Sequence, residues 1–256
     1  MNNTLANGLR VLELLAESET PYSVKDVAAS MQIPNSHACR LLKTLSESGY
    51  VEQEAKGRKY KISLKALTLS NNTLKRLGIR AKLRPFLLRL SRDLNAATYL
   101  SLPYQGRPMI IDATYPESAT LDTGVTIGSI NPLHASASGK VCAAWQPKEI
   151  LEAILSKESF QALTQKTITT SKRFREELIQ VRKEKVATTD SERSSGLGAA
   201  AAPVFDCEGE FIAIIGSAFQ CEGFTQEHWQ NCKDKVRSAA EAASFALGYA
   251  RYDLVQ

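Results

Sequence analysis

Two clusters of residues in this chain could do chemistry. The first is basic: Ser36, Arg40, Lys43 and Glu47 recur at the three- and four-residue spacing of one helix face. An arginine on such a face can donate two hydrogen bonds to the O6 and N7 of a guanine, and a lysine can neutralise a phosphate. Asn35 and Ser36 suit phosphate or adenine, and His37 is the residue best placed to set a sequence preference, against the plainer reading of a solvated imidazole. Ser23 and Lys25 open the preceding segment. Arg58, Lys59 and Lys61 form a later basic turn that either flanks a groove or is simply solvated. The second cluster is Ser136-Ala137-Ser138-Gly139-Lys140, small residues leading into a helical pattern. Open backbone N–H groups and the positive end of a helix dipole make such a place an anion site, against the bland reading of a helix start with no ligand.

Other chemistries do not assemble. Gly139-Lys140 lacks the earlier glycine of a phosphate loop, since residue 134 is His134, and Val141 stands where Ser or Thr is needed. A Ser-x-x-Lys nucleophile would need serine at 137, which is Ala137. His37, His134 and His228 fall in separate regions, so no metal and no catalytic residue is expected, and His134 reads as a structural loop residue. Glu176, Glu177 and Glu192 are acids without an evident partner. The five cysteines are odd in number and contain no C-x-x-C pair, which argues for reduced thiols in a cytoplasm. No signal peptide and no membrane span is evident. With 256 residues, 43% of them apolar, the chain has room for two domains. Its net charge of +5 is too mild to imply nucleic acid by itself.

The elements that position these clusters can be read in order. Asn2 to Ala16 gives a first helix with Leu5, Leu9, Leu12 and Ala16 as its stripe. Ser23-x-x-Asp26 is a capping-box pattern that starts a second helix, with Val24, Val27, Ala28 and Met31 on one side. Gln32-Ile33-Pro34 interrupts it. A third helix, capped by Asn35 or Ser36, carries Ala38, Leu41, Leu42 and Leu45 and stops at Gly49. So short an interruption forces the helix crossing of a helix-turn-helix. Strands at Tyr50–Gln53 and Lys59–Ile62 would form a wing around Ala55-Lys56-Gly57-Arg58. Residues 73–93 read as a helix with seven basic residues, kinked or restarted at Pro85. It is either solvated or a further grip on phosphates. From Ala97 the period changes to two, with strands at Thr98–Pro103, Pro108–Thr114, Leu121–Thr126, near Val186–Thr188, Leu197–Phe205 and Glu210–Phe219. Helices at Lys140–Trp145, Lys148–Ser156, Ser171–Lys185 and Thr225–Tyr249 surround them. Antiparallel hairpins with helices outside give an α+β class.

Five ordered blocks carry a resemblance: Gly8-Leu-Arg-Val-Leu-Glu-Leu-Leu, Pro34-Asn-Ser-His-Ala-Cys-Arg-Leu-Leu-Lys-Thr-Leu, Ser48-Gly-Tyr-Val, Gly128-Ser-Ile-Asn-Pro-Leu-His-Ala-Ser-Ala-Ser-Gly-Lys and Ala202-Pro-Val-Phe-Asp. Nearly end to end, the chain resembles the IclR family of bacterial transcription regulators. The resemblance implies an N-terminal winged helix-turn-helix (1–66, all-α with a β-wing), a linker helix (67–93) and a GAF/PAS-like antiparallel-sheet domain (94–256) for effector binding and oligomerisation. It implies a cytoplasmic, non-enzymatic, DNA-binding regulator without cofactor, a repressor of a catabolic operon more than an activator. Its partners would be a palindromic double-stranded operator, a small carboxylate effector such as a sugar acid or keto acid, and a second copy in a homodimer, with tetramers on DNA. A sensor acting through protein contacts of its winged helix is the alternative. By the same resemblance, the main-chain amides of Ala137 and Ser138, after Ser136, hold the effector carboxylate. Thr189, beside Asp190, and Ala199 stand where the family often has an Asp and a Cys touching the ligand. Ile111, Leu133, Leu197 and Ser217 line the remainder. The chain departs from the family pattern at His37, in the acidic run now Thr188-Thr189-Asp190-Ser191-Glu192, and at Gly198-Ala199. The loss of an acid and a thiol predicts that ligand hydroxyls meet Thr189, Ser138 and backbone.

Overall fold

The structure, a computed structural model, describes residues 3–55, 58–117 and 123–250. The chain divides into two compact units, Met1–Leu77 and Gly78–Gln256. The first contains α1 (Asn3–Glu17), α2 (Val24–Met31), α3 (Asn35–Glu47), β1 (Val51–Gln53), β2 (Tyr60–Ile62) and α4 (Ala66–Arg76). Ser23 caps α2 in a reciprocal box. Its hydroxyl accepts from the Asp26 N–H at 3.2 Å, and the Asp26 carboxylate accepts from the Ser23 N–H at 2.8 Å. That backbone bond holds the Asp26 carboxyl below its ordinary value. The helix stops at Gln32, whose φ of 53° turns the chain, and Pro34 takes the cap position of α3 with no side-chain bond. Asn35 and Ser36, expected as caps, are therefore the first residues inside α3. Proline fits there because its fixed φ suits a helix start and the position lacks an intrahelical acceptor anyway.

One apolar core unites this unit: Val11 and Leu15 of α1, Val27, Ala28 and Met31 of α2, Ala38, Leu41 and Leu42 of α3, then Val51 and Tyr60. The stripe expected on α1 is corrected. Leu5 and Leu9 are 64% and 54% exposed, and the buried line runs through Gly8, Val11 and Leu15. Both stripes have helical spacing, and tertiary packing selects between them. Strands β1 and β2 pair antiparallel as Val51↔Ile62, Glu52↔Lys61 and Gln53↔Tyr60. Lys56 and Gly57 at the tip lie outside the described residues.

The basic stretch expected as one linker helix is two helices, α4 and α5 (Gly78–Leu94), which begins the second unit. The break falls at Leu77 (φ −80°, ψ 84°), and Pro85 lies inside α5. The second unit continues with β3 (Ala97–Tyr104), β4 (Arg107–Thr114), α6 (Ala137–Trp145), α7 (Lys148–Leu155), α8 (Ser171–Glu184), β5 (Ala187–Asp190), β6 (Leu197–Phe205), β7 (Phe211–Gln220) and α9 (Gln226–Ala246). Its strands form one antiparallel sheet in the order β4-β3-β7-β6-β5. Helices α5 and α9 pack on one face, and α6, backed by α8, on the other. The strand expected at Leu121–Thr126 is absent from its described part: Gly124 takes a φ of +67°, and the Tyr115 hydroxyl donates to the Val125 carbonyl. Leu121 and Asp122 lie outside the described residues. No described helix is long and apolar enough to cross a membrane.

Strand β4 contains the irregularity that matters most. Leu100 faces Asp112 and Ser101 faces Ile110, which leaves Ile111 as an extra, unpaired residue. Such a bulge reverses the alternation of side chains. Ile110 then joins Tyr99 and Val125 on the α6 side of the sheet. Asp112, fully buried, turns to α5 and accepts from Arg84 at 2.7 and 2.8 Å and from Arg80 at 3.1 Å. Two of the seven basic residues are thus paired with a buried carboxylate inside the second unit, although the Arg84 side chain stays 44% exposed.

Candidate functional site

In the first unit, the face of α3 opposite the core is open to solvent. Asn35, Ser36, Arg40 and Lys43 are exposed, and His37 is half-buried. Lys43 stands 3.9 Å from Glu47, an exposed pair of little energetic weight. On the wing Arg58, Lys59 and Lys61 are exposed, with Lys61 3.9 Å from Glu52. Lys25 is exposed on α2, whereas the Ser23 hydroxyl is occupied by its capping bond.

In the second unit, a cavity of about 210 Å³ opens between the sheet and the start of α6. This is below the usual range of ligand pockets, roughly 300–1,000 Å³, and leaves room only for a compact molecule. Ser136 caps α6: its hydroxyl accepts from the Gly139 N–H at 3.0 Å and donates to the Pro132 carbonyl at 2.6 Å. The first-turn amides of Ala137 and Ser138 have no acceptor within the helix. Gly139 is required here, since a Cβ would fall 2.1 Å from the Pro132 oxygen and 2.6 Å from Leu133 Cα. Helix α6 begins at Ala137, three residues before the expected start, because Ser136 supplies the cap.

Five expected residues line this cavity: Ser136, Ala137, Thr189, Leu197 and Ala199, with Thr189 and Ala199 paired across β5 and β6. Five do not. Ile111 is displaced by the bulge, and Ile110 takes its place. Ser217 is one residue out of phase: its hydroxyl donates to the Ala97 carbonyl at 2.9 Å, and Ala218 faces the cavity. Leu133 is buried in the core around α6. Ser138 stands behind the wall, where its hydroxyl accepts from Asn131 at 3.0 Å. Asp190 faces Lys166 at 2.7 Å, and that hydrogen bond holds its carboxyl below the ordinary range.

Several lining residues were not foreseen. Tyr99 is buried, and burial pushes its phenol up to about 12, so it remains a neutral donor. Alternation along the predicted strand 98–103 could have marked it. Arg193 donates to the Asn131 side chain at 2.7 Å, which completes the polar chain Arg193–Asn131–Ser138. The Thr123 hydroxyl is buried at the cavity with no partner among the described residues. Among the described residues that line the cavity, Arg193 is the one charged residue and none is a carboxylate.

Two acids read as unpartnered do have a partner. Lys140, 1% exposed, donates to Glu192 at 2.7 Å, to Glu177 at 2.9 Å and to the Thr188 carbonyl at 3.0 Å. It points away from the cavity and pins the loop that carries Arg193. His134, also buried, lies between the Glu158 carboxylate at 3.1 Å and the Gln161 carbonyl at 3.0 Å.

Residues 4–55 match the IclR helix-turn-helix domain, and residues 71–245 match the C-terminal domain of the bacterial transcriptional regulator IclR. HTH-type transcriptional regulator XynR of Escherichia coli is 27% identical over 246 residues, covering 96% of this chain and 97% of that protein. Transcriptional repressor IclR of Escherichia coli is 27% identical over 247 residues, covering 96% and 90%. The crystal structure of the Thermotoga maritima IclR superposes with a TM-score of 0.75 at 25% identity, over 97% of this chain and 100% of that one. A winged helix-turn-helix unit, an antiparallel-sheet unit and these matches along both place the chain in the IclR family of bacterial transcriptional regulators.

Proposed function

We propose that this regulator is a repressor of a catabolic operon, and that a small organic acid bound in the second unit controls its hold on a palindromic operator. The observation that carries the reading is the pairing of two surfaces. One is the open face of α3 bearing Arg40 and Lys43; the other is a cavity lined by Arg193 and the start of α6, with no carboxylate among the described lining residues. Arg40 would read a base, with Asn35, Ser36, Lys43, Lys25 and the wing residues Arg58, Lys59 and Lys61 holding phosphates. The name of the repressor relative agrees with the sign of control. A palindromic site calls for a homodimer. The exposed leucines of the first unit, Leu5, Leu9, Leu64, Leu67 and Leu69, offer apolar surface to a second copy. In the cavity the acid's carboxylate would meet Ala137 and Ser138 N–H and its hydroxyls Thr189, Tyr99 and Asn131, which favours a sugar acid or keto acid.

The test is equilibrium binding of the full chain to its own upstream DNA across a salt series, with and without sugar acids and keto acids. Affinity should fall linearly on a log–log plot of salt, and one acid should shift it. A flat salt response would refute DNA binding and favour protein contacts. No response to any acid, in binding or in thermal stability, would refute the effector assignment.

A further inference from the structure

His37 is held between two partners within the first unit. Arg40 Nη2 lies 3.1 Å from its Nδ1, and the side-chain amide of Asn7, on α1, lies 3.3 Å from its Nε2. A guanidinium can only donate, so Nδ1 must present its lone pair. A neutral imidazole then carries its proton on Nε2, where it needs an acceptor. Asn7 supplies one with its side-chain oxygen once the amide is turned end for end, the orientation that this hydrogen-bond network selects. The chain of bonds therefore runs Arg40 to His37 to Asn7, from the recognition face of α3 back to α1. Among the described residues, no carboxylate lies within ion-pair distance of Arg40, so this imidazole is what aligns its guanidinium.

We propose that His37 is a positioning residue for Arg40 and reads no base itself: it fixes the guanidinium in one direction before DNA arrives. The inference rests on the proposed reading of DNA by Arg40. Long side chains lose rotamer freedom on binding, and one already fixed loses less. The identity of residue 37 then sets operator preference at the base pair under Arg40, one turn further along the helix.

The experiment begins by selecting a consensus duplex from random-sequence DNA with the full wild-type chain. Binding of His37→Ala, His37→Gln, Arg40→Ala and the double Ala variant is then measured on that duplex and on versions changed one base pair at a time. His37→Ala should weaken binding roughly three- to tenfold. Its lost preference should fall at the same base pairs as that of Arg40→Ala, and the double variant should bind no more weakly than Arg40→Ala. His37→Gln should retain most of the affinity, because a glutamine can accept from Arg40 and still bond to Asn7. Asn7→Ala, which leaves α3 untouched, should give a smaller loss at the same base pairs even if His37→Ala fails to fold. The proposal is overturned if the His37→Ala loss persists in the Arg40→Ala background, or falls at other base pairs. It is also overturned if Gln behaves as Ala does. A wild-type chain that enriches no sequence would instead overturn the DNA reading, and this inference with it.

Discussion

Lys140→Met is the substitution whose cost the structure defines best. The ammonium is 1% exposed and serves Glu192, Glu177 and the Thr188 carbonyl. Methionine fills much the same space, so the change is one of charge. Breaking one side of a buried ion pair costs about 3–5 kcal/mol. Glu177, a third exposed, can turn to water, but Glu192 is only 12% exposed and already has one oxygen without a partner among the described residues. The lower end of the range applies, and about 3 kcal/mol in a unit of this size is roughly 6–12 °C of melting temperature. The pH dependence has a definite sign. Burial raises the Glu192 carboxyl above its ordinary value of 4.5, even beside Lys140. A carboxyl raised in the folded state contributes stability that is fully present below the unfolded value and lost as pH rises through the folded one. Without Lys140 it is raised further, so the deficit of the variant should be small near pH 4.5 and widen toward pH 7.5. Calorimetry of the full chain at fixed concentration reads both effects. Lys140→Met with Glu192→Leu should recover most of the loss, since a packed apolar pair replaces the broken one. A melting temperature lowered by under about 2 °C at pH 7.5, a deficit flat with pH, or a double variant no better than the single would refute the reasoning.

Other consequences can be checked in the same unit. Gly139→Ala drives a methyl against the Pro132 and Leu133 backbone, so it should cost about 1–3 kcal/mol and abolish stabilisation by any acid that stabilises the wild type in a thermal-shift screen. Asp112→Asn removes the charge that holds Arg80 and Arg84. Amide hydrogen exchange should then quicken across residues 78–94, and unchanged exchange there would refute the anchor. Tyr99→Phe removes a buried neutral donor at the cavity and should weaken a carboxylate ligand about fivefold, or about 1 kcal/mol, by isothermal titration, with the melting temperature of the free chain little changed.

How much was legible depended on how local each signal was. The α2–α3 pair could be read because the capping box, the apolar stripes and the Pro34 interruption all act within a few residues. Ser136 and Gly139 were legible for the same reason. The α1 stripe was misjudged because two leucine-rich lines share the helical period and only contact with α3 decides between them. Ile111 is misplaced by one residue because the bulge in β4 reverses the strand, which period-two reasoning has no means of seeing; Ser217, on the regular part of β7, is assigned to the wrong one of two alternating faces. Lys140 with Glu192, and Arg84 with Asp112, are partners far apart in sequence, and nothing near either residue announces the other. Arg193 lay in a loop that the sequence marked only as polar.

The extra residue at Ile111 has an implication for how this domain can change over time. In a regular strand, residues two apart look to the same side, so a wall that touches the ligand would share its face with the anchor of α5. Here Ile110 looks to the cavity and Asp112 to the helix, with a single peptide of slack between them. Selection for a new ligand can reshape the cavity side of β4 while the ionic clasp on α5 keeps its composition. Shortening the strand by that one residue would put the cavity wall and the anchor of α5 on one face.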